Sequence, residues 1–447
     1  MPEMPPNKLL IGPAKAGLIT AMAMMLANCV VTDVASRFNT DPSQSETGLS
    51  TANGGALSEN PGEGGQIISD LRGRQSILPV GGSFSQIAAG VIAASSGAAA
   101  AELRIARLKA QAKETNWLPS MGPSVNLTSL SGLVASILFE AAIFDNGRKK
   151  AEREFAAADV ELAAVSLAEE LNTRVYDALL AYVTAQRAHA QAEIDQRALT
   201  RLAEFQRIMR VRVEGGLSDL SEQQIIDQQV AQMEATLASD RRTAEVAVDE
   251  LTSLYGAALP ALSGLDALPA DAPAPEPLAV LRARGQASQR VAEAKMARAD
   301  FLPGLSAQAS VGADGMETGL VLGAGQMIGL GSGASLEALA SVQDLASRQL
   351  AEASDDVRRK IEGLQNDLQT LTLRQSQGAE VLVQTIGNLV MFTEQYKVGR
   401  RTLLELVGEH DRHARLERDQ AALGFEIVLK RLAIARERGV LVNGALM

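Results

Sequence analysis

The chain is short of cysteine, aromatic side chains, positive charge and long apolar runs, and each shortage excludes something. One cysteine, Cys29, in 447 residues rules out an intrachain disulfide framework. Aromatic residues make up 3% of the chain, so the core is expected to rest on alanine-rich helix-on-helix seams instead of large rings. With 42 basic against 53 acidic side chains the net charge is −11, which is not the basic footprint of a nucleic-acid binder. No run of 18 apolar residues follows the N-terminal segment, so no internal membrane-spanning helix is expected. No glycine loop precedes a lysine in P-loop spacing, and no Ser/His/Asp or Cys/His arrangement is evident, so the sequence does not read as an enzyme. His410 and His413 in "EHDRH" lie three apart on one helical face without a third ligand at fixed spacing, so neither a metal nor another cofactor is expected.

What is present begins at the N-terminus. Lys8 and Lys15 precede the apolar stretch "AGLITAMAMMLA" (16–27), the pattern of a signal peptide over residues 1–28. The following "LANC" (26–29) resembles a bacterial lipobox, with Asn28 departing from the usual small residue. That resemblance implies a covalent lipid on Cys29 as the mature N-terminus, and Val30 after it implies sorting to the outer membrane. An ordinary signal peptide with an incidental cysteine is the alternative. Residues 29–83 are rich in Ser, Gly, Asn, Asp and Thr and read as a lipid-anchored flexible tether.

The rest repeats itself. "NWLPS" (116–120) returns as "DFLPG" (300–304), and Gly147 and Gly215 return as Gly331 and Gly399, all at one offset. Two copies of one unit are expected, over 84–267 and 281–442, separated by the proline-rich linker 268–280. Each copy starts with an alanine-rich helix, 84–114 and 278–300, ended by Leu-Pro. Strands follow. Residues 304–312 alternate apolar and polar side chains, and 317–328 read as the return strand after a turn at "ADG" (313–315). The first copy gives strands near 122–130 and 133–144, with β-hairpins overall at about 119–145 and 303–329. A long helix comes next, with apolar residues at three-and-four spacing from Ala158 to Ala185 and again from Ile226 to Leu237. It is interrupted by "RVEGGLSDLS" (212–221) in one copy and by "YKVGRRTLLE" (396–405) in the other. Gly215 and Gly399 are expected to take φ > 0 there and to turn each helix back on itself. Four strands do not close a membrane barrel, and open edges in lipid leave backbone groups unpaired, so embedded strands require several chains.

This duplicated unit, with its Leu-Pro sites, "FDNG" and paired tips, resembles the TolC family of outer-membrane channels over about residues 84–440. The resemblance implies a mainly α chain with a small β part. Three chains would form a homotrimer, with long antiparallel coiled-coil helices making an α-barrel tunnel and four strands per chain making a shared 12-stranded β-barrel. It also implies a place in the outer membrane of a gram-negative bacterium, embedded in lipid and extending into the periplasm. There the trimer would meet a periplasmic adaptor and an inner-membrane pump, either a proton-driven or an ABC transporter, for efflux or type I secretion.

Carried over residue by residue, the resemblance makes Tyr396, Arg401 and Glu405 candidates for the pore constriction, with Asp219 and Ser221 at the other tip. Gly215, Gly216, Leu217, Ser218, Val398, Gly399 and Arg400 become the adaptor-docking tips. Trp117, Phe301 and Phe144 become membrane-interface residues. For Arg400, Arg401 and Glu405 a solvated helix end is the alternative. For the whole chain it is a lipid-tethered structural coiled-coil protein of the envelope without a pore.

Overall fold

The computed structural model describes residues 65–446 except 130–131, 261, 263, 270–273, 313–314, 327–328 and 330. The signal peptide, Cys29, most of the expected tether and both β-hairpin turns lie outside the described residues. Two chain units separate near residue 60, and everything below concerns the second, Asn60–Met447.

The elements follow the duplicated order. Helix α1 spans Gln66–Gly73, α2 Ser83–Ala93 and α3 Ala98–Glu114. Strands β1 (Ser120–Ser129) and β2 (Gly132–Phe144) lead into α4 (Arg148–Glu214) and its antiparallel partner α5 (Leu220–Tyr255). The second copy runs α6 (Leu278–Asp300), β3 (Gly304–Gly312), β4 (Gly315–Gly323), α7 (Ser332–Lys397) and α8 (Leu403–Glu437), before a short 3-10 turn at Gly444–Leu446. The long helices have 67 and 66 residues, about 100 Å each at 1.5 Å per residue. Their return helices have 36 and 35, so the duplication is closely kept.

Helix α4 is the spine. Its alanines and β-branched residues at three-and-four spacing, among them Ala158, Val165, Ala168, Val175, Ala178 and Ala185, are buried. Small side chains let neighbouring backbones approach closely, and α3, α5, α6 and α8 all pack on α4. Helix α7 differs. It buries only Ala346, Val357, Leu371 and Thr385 among its described residues and exposes Leu345, Leu373, Val381, Val383, Val390 and Met391.

Three expectations are corrected. The tether does not extend to residue 83. Ile67, Ile68 and Leu71 of α1 are buried, and Arg74 bonds the carbonyls of Arg438 at 2.6 Å and Glu276 at 2.7 Å, tying three distant parts of the chain together. Serine and glycine content hid an amphipathic turn of helix. The helix expected over 84–114 is broken, because Gly97 takes φ 67° between α2 and α3. The return strand of the second copy is Gly315–Gly323, not 317–328. Among the remaining strands, β3 begins and ends where its alternation does, and β1 and β2 start within two residues of the expected positions.

The four strands form one antiparallel sheet in the order β1-β2-β3-β4, leaving β1 and β4 as edges. The "FDNG" turn sets α4 against it. Asn146 (φ 52°) and Gly147 (φ 82°) are both left-handed, and Asn146 Nδ2 donates to the Pro303 carbonyl of the other copy at 3.0 Å. Asp145 accepts the amide of Lys149 at 2.7 Å, which caps the first turn of the helix.

Phe84 is fully buried and meets the ring of Tyr182 edge-on at 6.1 Å. Phe84→Ala is expected to destabilise the helical body by about 3–5 kcal/mol, read from chemical denaturation followed by circular dichroism. A loss below about 1 kcal/mol would mean that α2 is not an integral part of this core.

Candidate functional site

Both helical tips are built alike. At the end of α4 the amide of Leu217 donates to the Arg212 carbonyl at 2.7 Å and that of Gly216 to Val213 at 3.0 Å. At the end of α7 Arg400 donates to Gln395 at 2.9 Å and Gly399 to Tyr396 at 3.0 Å. This pair of bonds is a Schellman motif, which needs a left-handed residue after the cap. Gly216 (φ 69°) and Gly399 (φ 75°) supply it. The expectation for Gly215 is therefore corrected: its φ is −83°, and Gly216 is the conformational partner of Gly399. The reason is the one-residue difference in helix length, which places a gap in the repeat between its glycine landmarks.

Each returning helix is capped by a side chain. Asp219 accepts the amides of Ser221 and Glu222, both at 3.0 Å. Thr402 and Glu405 form a capping box, with the Thr402 amide donating to Glu405 at 2.9 Å and the Glu405 amide to the Thr402 hydroxyl at 3.2 Å. Arg401 donates to the other Glu405 oxygen at 2.8 Å and to Gln395 at 3.0 Å, and its guanidinium covers the Phe392 ring at 4.6 Å. Tyr396 is half-buried on the core under the tips, formed by Leu202, Met209, Ile226, Leu403 and Val407. The Thr402 amide, and then Arg401, hold the Glu405 carboxyl below the usual carboxylate range. The Ser221 hydroxyl and the Glu222 amide do the same for Asp219. Tyr396, Arg401 and Glu405 thus share one tip. Ser221 and Asp219 share the other, where Ser221 donates to Asp219. Ser218 receives a hydrogen bond from Arg212 at 3.1 Å, while Leu217, Leu220 and Val398 are exposed.

The sheet offers two different faces. The register aligns Met121, Phe139 and Ala309 with Thr318, Ile137 and Val311 with Met316, Ala307 with Leu320, and Leu305 with Leu322. The opposite face carries Ser124 and Ser136, then Glu140 beside Gln308, then Ser310 beside Glu317, interrupted by Leu138 and Val321. Glu140 and Glu317 are the only charged residues in the four strands. Trp117 and Phe144 are exposed and Phe301 half-buried where helices meet strands.

One cluster escaped the reading of periodicity. Asp195 of α4 and Asp240 of α5 are buried and share Arg418 of α8, whose Nη2 is 2.9 Å from Asp240. Both acids fall on apolar stripes, Ala188–Ala192–Asp195–Leu202 and Met233–Leu237–Asp240–Ala244, and a charge at a stripe position is the signal that would have found them. His410 packs on the Phe205 ring at 4.9 Å, and burial lowers its pKa. Among the described residues no group of three or more His, Cys, Asp or Glu is arranged to hold a metal ion.

No family model and no curated protein matches this chain. Solved structures do. The outer membrane protein VceC of Vibrio cholerae is 16% identical, covers 80% of this chain and 96% of its own length, and superposes with a TM-score of 0.68. The outer membrane channel CmeC of Campylobacter jejuni is 11% identical, over 89% of this chain and 94% of its own, at 0.68. The Neisseria gonorrhoeae MtrE outer membrane channel, in its open state, is 16% identical, over 81% and 90%, at 0.65. The fold of this chain is the fold of these proteins.

The tip geometry separates two neighbouring glycines. Gly216→Ala forces a left-handed alanine and is expected to cost about 1–2 kcal/mol. Gly215 has an ordinary negative φ, and a Cβ there meets the Val211 carbonyl at 3.3 Å and the Arg212 carbonyl at 3.8 Å, so Gly215→Ala carries no left-handed penalty and is expected to cost less than Gly216→Ala. Amide exchange at residues 203–214 reads the difference. For the caps, depressed carboxyl pKa values mean stability that is present above the ordinary carboxylate range and lost as pH falls through the lowered values. The two caps themselves should therefore loosen only on strong acidification.

Proposed function

We propose that this chain is one subunit of a TolC-type outer-membrane channel, a passive exit duct for efflux or type I secretion. The observation that carries the reading is the sheet: four strands of membrane-spanning length, one apolar face, one polar face and two unpaired edges. A lone open sheet with an apolar face is unstable in water and, with free edges, in lipid. Three chains would supply twelve strands, close the edges, turn the apolar face to lipid and leave Glu140, Gln308 and Glu317 facing a water-filled lumen. The exposed apolar residues of α7 support the same assembly, since a neighbouring subunit would bury them. The fold shared with two outer membrane channels and with the outer membrane protein VceC supports it further.

In that assembly the tips lie far from the sheet, at the periplasmic end of the helical tunnel. Tyr396, Arg401 and Glu405 would surround the closed mouth, and the exposed Leu217 and Val398 would dock a periplasmic adaptor coupled to an inner-membrane pump. Arg401 is held within its own chain by Gln395, Glu405 and Phe392, so its part in closure would be to stiffen the tip. A lipid on Cys29 would add an anchor in the outer membrane, and mass spectrometry of the mature N-terminus tests that separately.

Two measurements test the channel. The purified protein should run as a trimer by native mass spectrometry in mild detergent, and Leu320→Asp/Leu322→Asp should abolish its insertion into bilayers while leaving the helical circular dichroism unchanged. In planar bilayers Arg401→Ser should raise single-channel conductance, whereas Arg358→Ser on exposed α7 should not. A detergent-free monomer that never conducts would favour the structural coiled-coil alternative.

A further inference from the structure

The helical body has two hydrophobic cores, and they do not touch. One includes α1, α2 and α3, with Val165–Val183 of α4 and Leu251 of α5. The other lies under the tips, from Leu202 to Met233 and from Leu403 to Ala414. Between them α4 buries only Ala185, Ala188, Ala192, Ile194 and Asp195. At this level polar contacts join the small apolar ones of Ala188, Ala192, Leu237 and Ala244. Arg418 of α8 joins Asp195 of α4 to Asp240 of α5. Gln420 of α8 donates to the backbone carbonyl of Gln375 on α7 at 2.6 Å and fills the notch left by Gly378. Asp195 and Gly378 each lie about 19 residues before the end of their helix, and Asp240 about 20 beyond the start of its own, so all sit roughly 28–30 Å from the tips. Four helices therefore cross one polar layer together.

The charges in that layer do not balance. Two buried carboxylates face one guanidinium, which leaves one negative charge over when both are ionised. Most of the surrounding charges are paired elsewhere, and Arg241 is exposed to solvent. Arg197 of α4 pairs with Glu417 at 2.7 Å, and His413 approaches the same Glu417 at 3.9 Å. Arg241 of α5 bonds Gln196 at 2.8 Å, and Arg415 of α8 pairs with Asp411 at 2.6 Å. Asp419 adds further negative charge beside Arg418, and α7 contributes the uncharged Gln375 and Gly378. A cleft of about 240 Å³, lined among others by Asp195, Gln229, Thr236 and Arg418, gives the layer a route to solvent.

We propose that this layer is a hinge with a proton-operated latch, about which the tip segment moves as one body. With Asp195 protonated the layer is neutral and closed. When the proton leaves, the uncompensated carboxylate draws in water, and the tip is free to swing. Burial pushes the Asp195 carboxyl up to about 6, Arg418 opposes this and Asp240 adds to it. A carboxyl whose pKa is raised in the closed form stabilises that form fully below its ordinary value and loses the contribution as pH rises through about 6. The latch is thus tight in mild acid and slack at neutral pH. It consists of contacts within one chain and does not depend on the channel reading, although in a channel it would set how readily the mouth opens.

The test is amide exchange on the full-length protein in detergent at pH 5 and pH 8, expressed as protection factors corrected for intrinsic rates. Protection of 196–214, 220–239 and 403–417 should be about tenfold higher at pH 5, one unit below the raised value, while 160–183 stays level. Asp195→Asn, which mimics the protonated form, should hold the tip protected at both pH values. His410→Gln/His413→Gln should keep the wild-type step. Equal protection at the two pH values in wild type, or a step that survives Asp195→Asn, would overturn the latch. Exchange that rises equally in 160–183 would overturn the hinge.

Discussion

The rest of this structure depends on the close approach of other helices to α4 along its alanine-rich seam. A 67-residue helix gains little from its own hydrogen bonds in water, and its persistence comes from burying one stripe after another against neighbours. Ala158, Ala168, Ala178 and Ala185 keep those neighbours near, so α3, α5, α6 and α8 gather on a single axis. Duplication follows the same logic: a helix–hairpin–helix unit cannot cover both sides of such a spine alone, and the second copy supplies α6 and α8 for that purpose.

The seam is stiff where it is apolar and yields where it is not. The body is cross-tied by groups far apart in sequence. Arg74 binds the carbonyls of Glu276 and Arg438, and Asn172 receives the Leu441 amide at 2.9 Å. The tips have a small core of their own, from Leu202 to Met233 and Leu403 to Ala414, and their turns are shaped by local motifs: two Schellman turns, an aspartate cap and a capping box. Local motifs fix the shape of a turn, and the small core joins the two turns to each other. The polar layer between the cores is where these two kinds of order meet.

The sheet extends this asymmetry to the other end. Its register is tightly specified because a slip by one residue would exchange an apolar face for a polar one. Its edges and its apolar face, like the exposed stripe of α7, are unfinished within one chain. The proposed assembly of several copies would cover both.

The sequence by itself determined the repeated order of elements, the position of β3, the long helices and their reversal points, because periods of two and three-to-four residues and the residues Gly and Pro act locally. The resemblance to outer-membrane channels came from the same local landmarks, and the fold shared with two such channels agrees with it. Tertiary structure alone decided the rest. Residues 66–73 look like tether by composition, yet they are helical because Ile67 and Leu71 find a core made by residues hundreds of positions away. Gly216, not Gly215, takes the left-handed turn, since α4 runs one residue longer than α7 before its cap. Glu405 and Arg401 were legible as tip residues, but their engagement in a capping box and with Phe392 required the turn to be folded. Asp195, Asp240 and Arg418 lie on three helices. A charge on an apolar stripe acquires meaning only when the opposite stripe brings its partner, and that pairing is a long-range contact that no local pattern encodes.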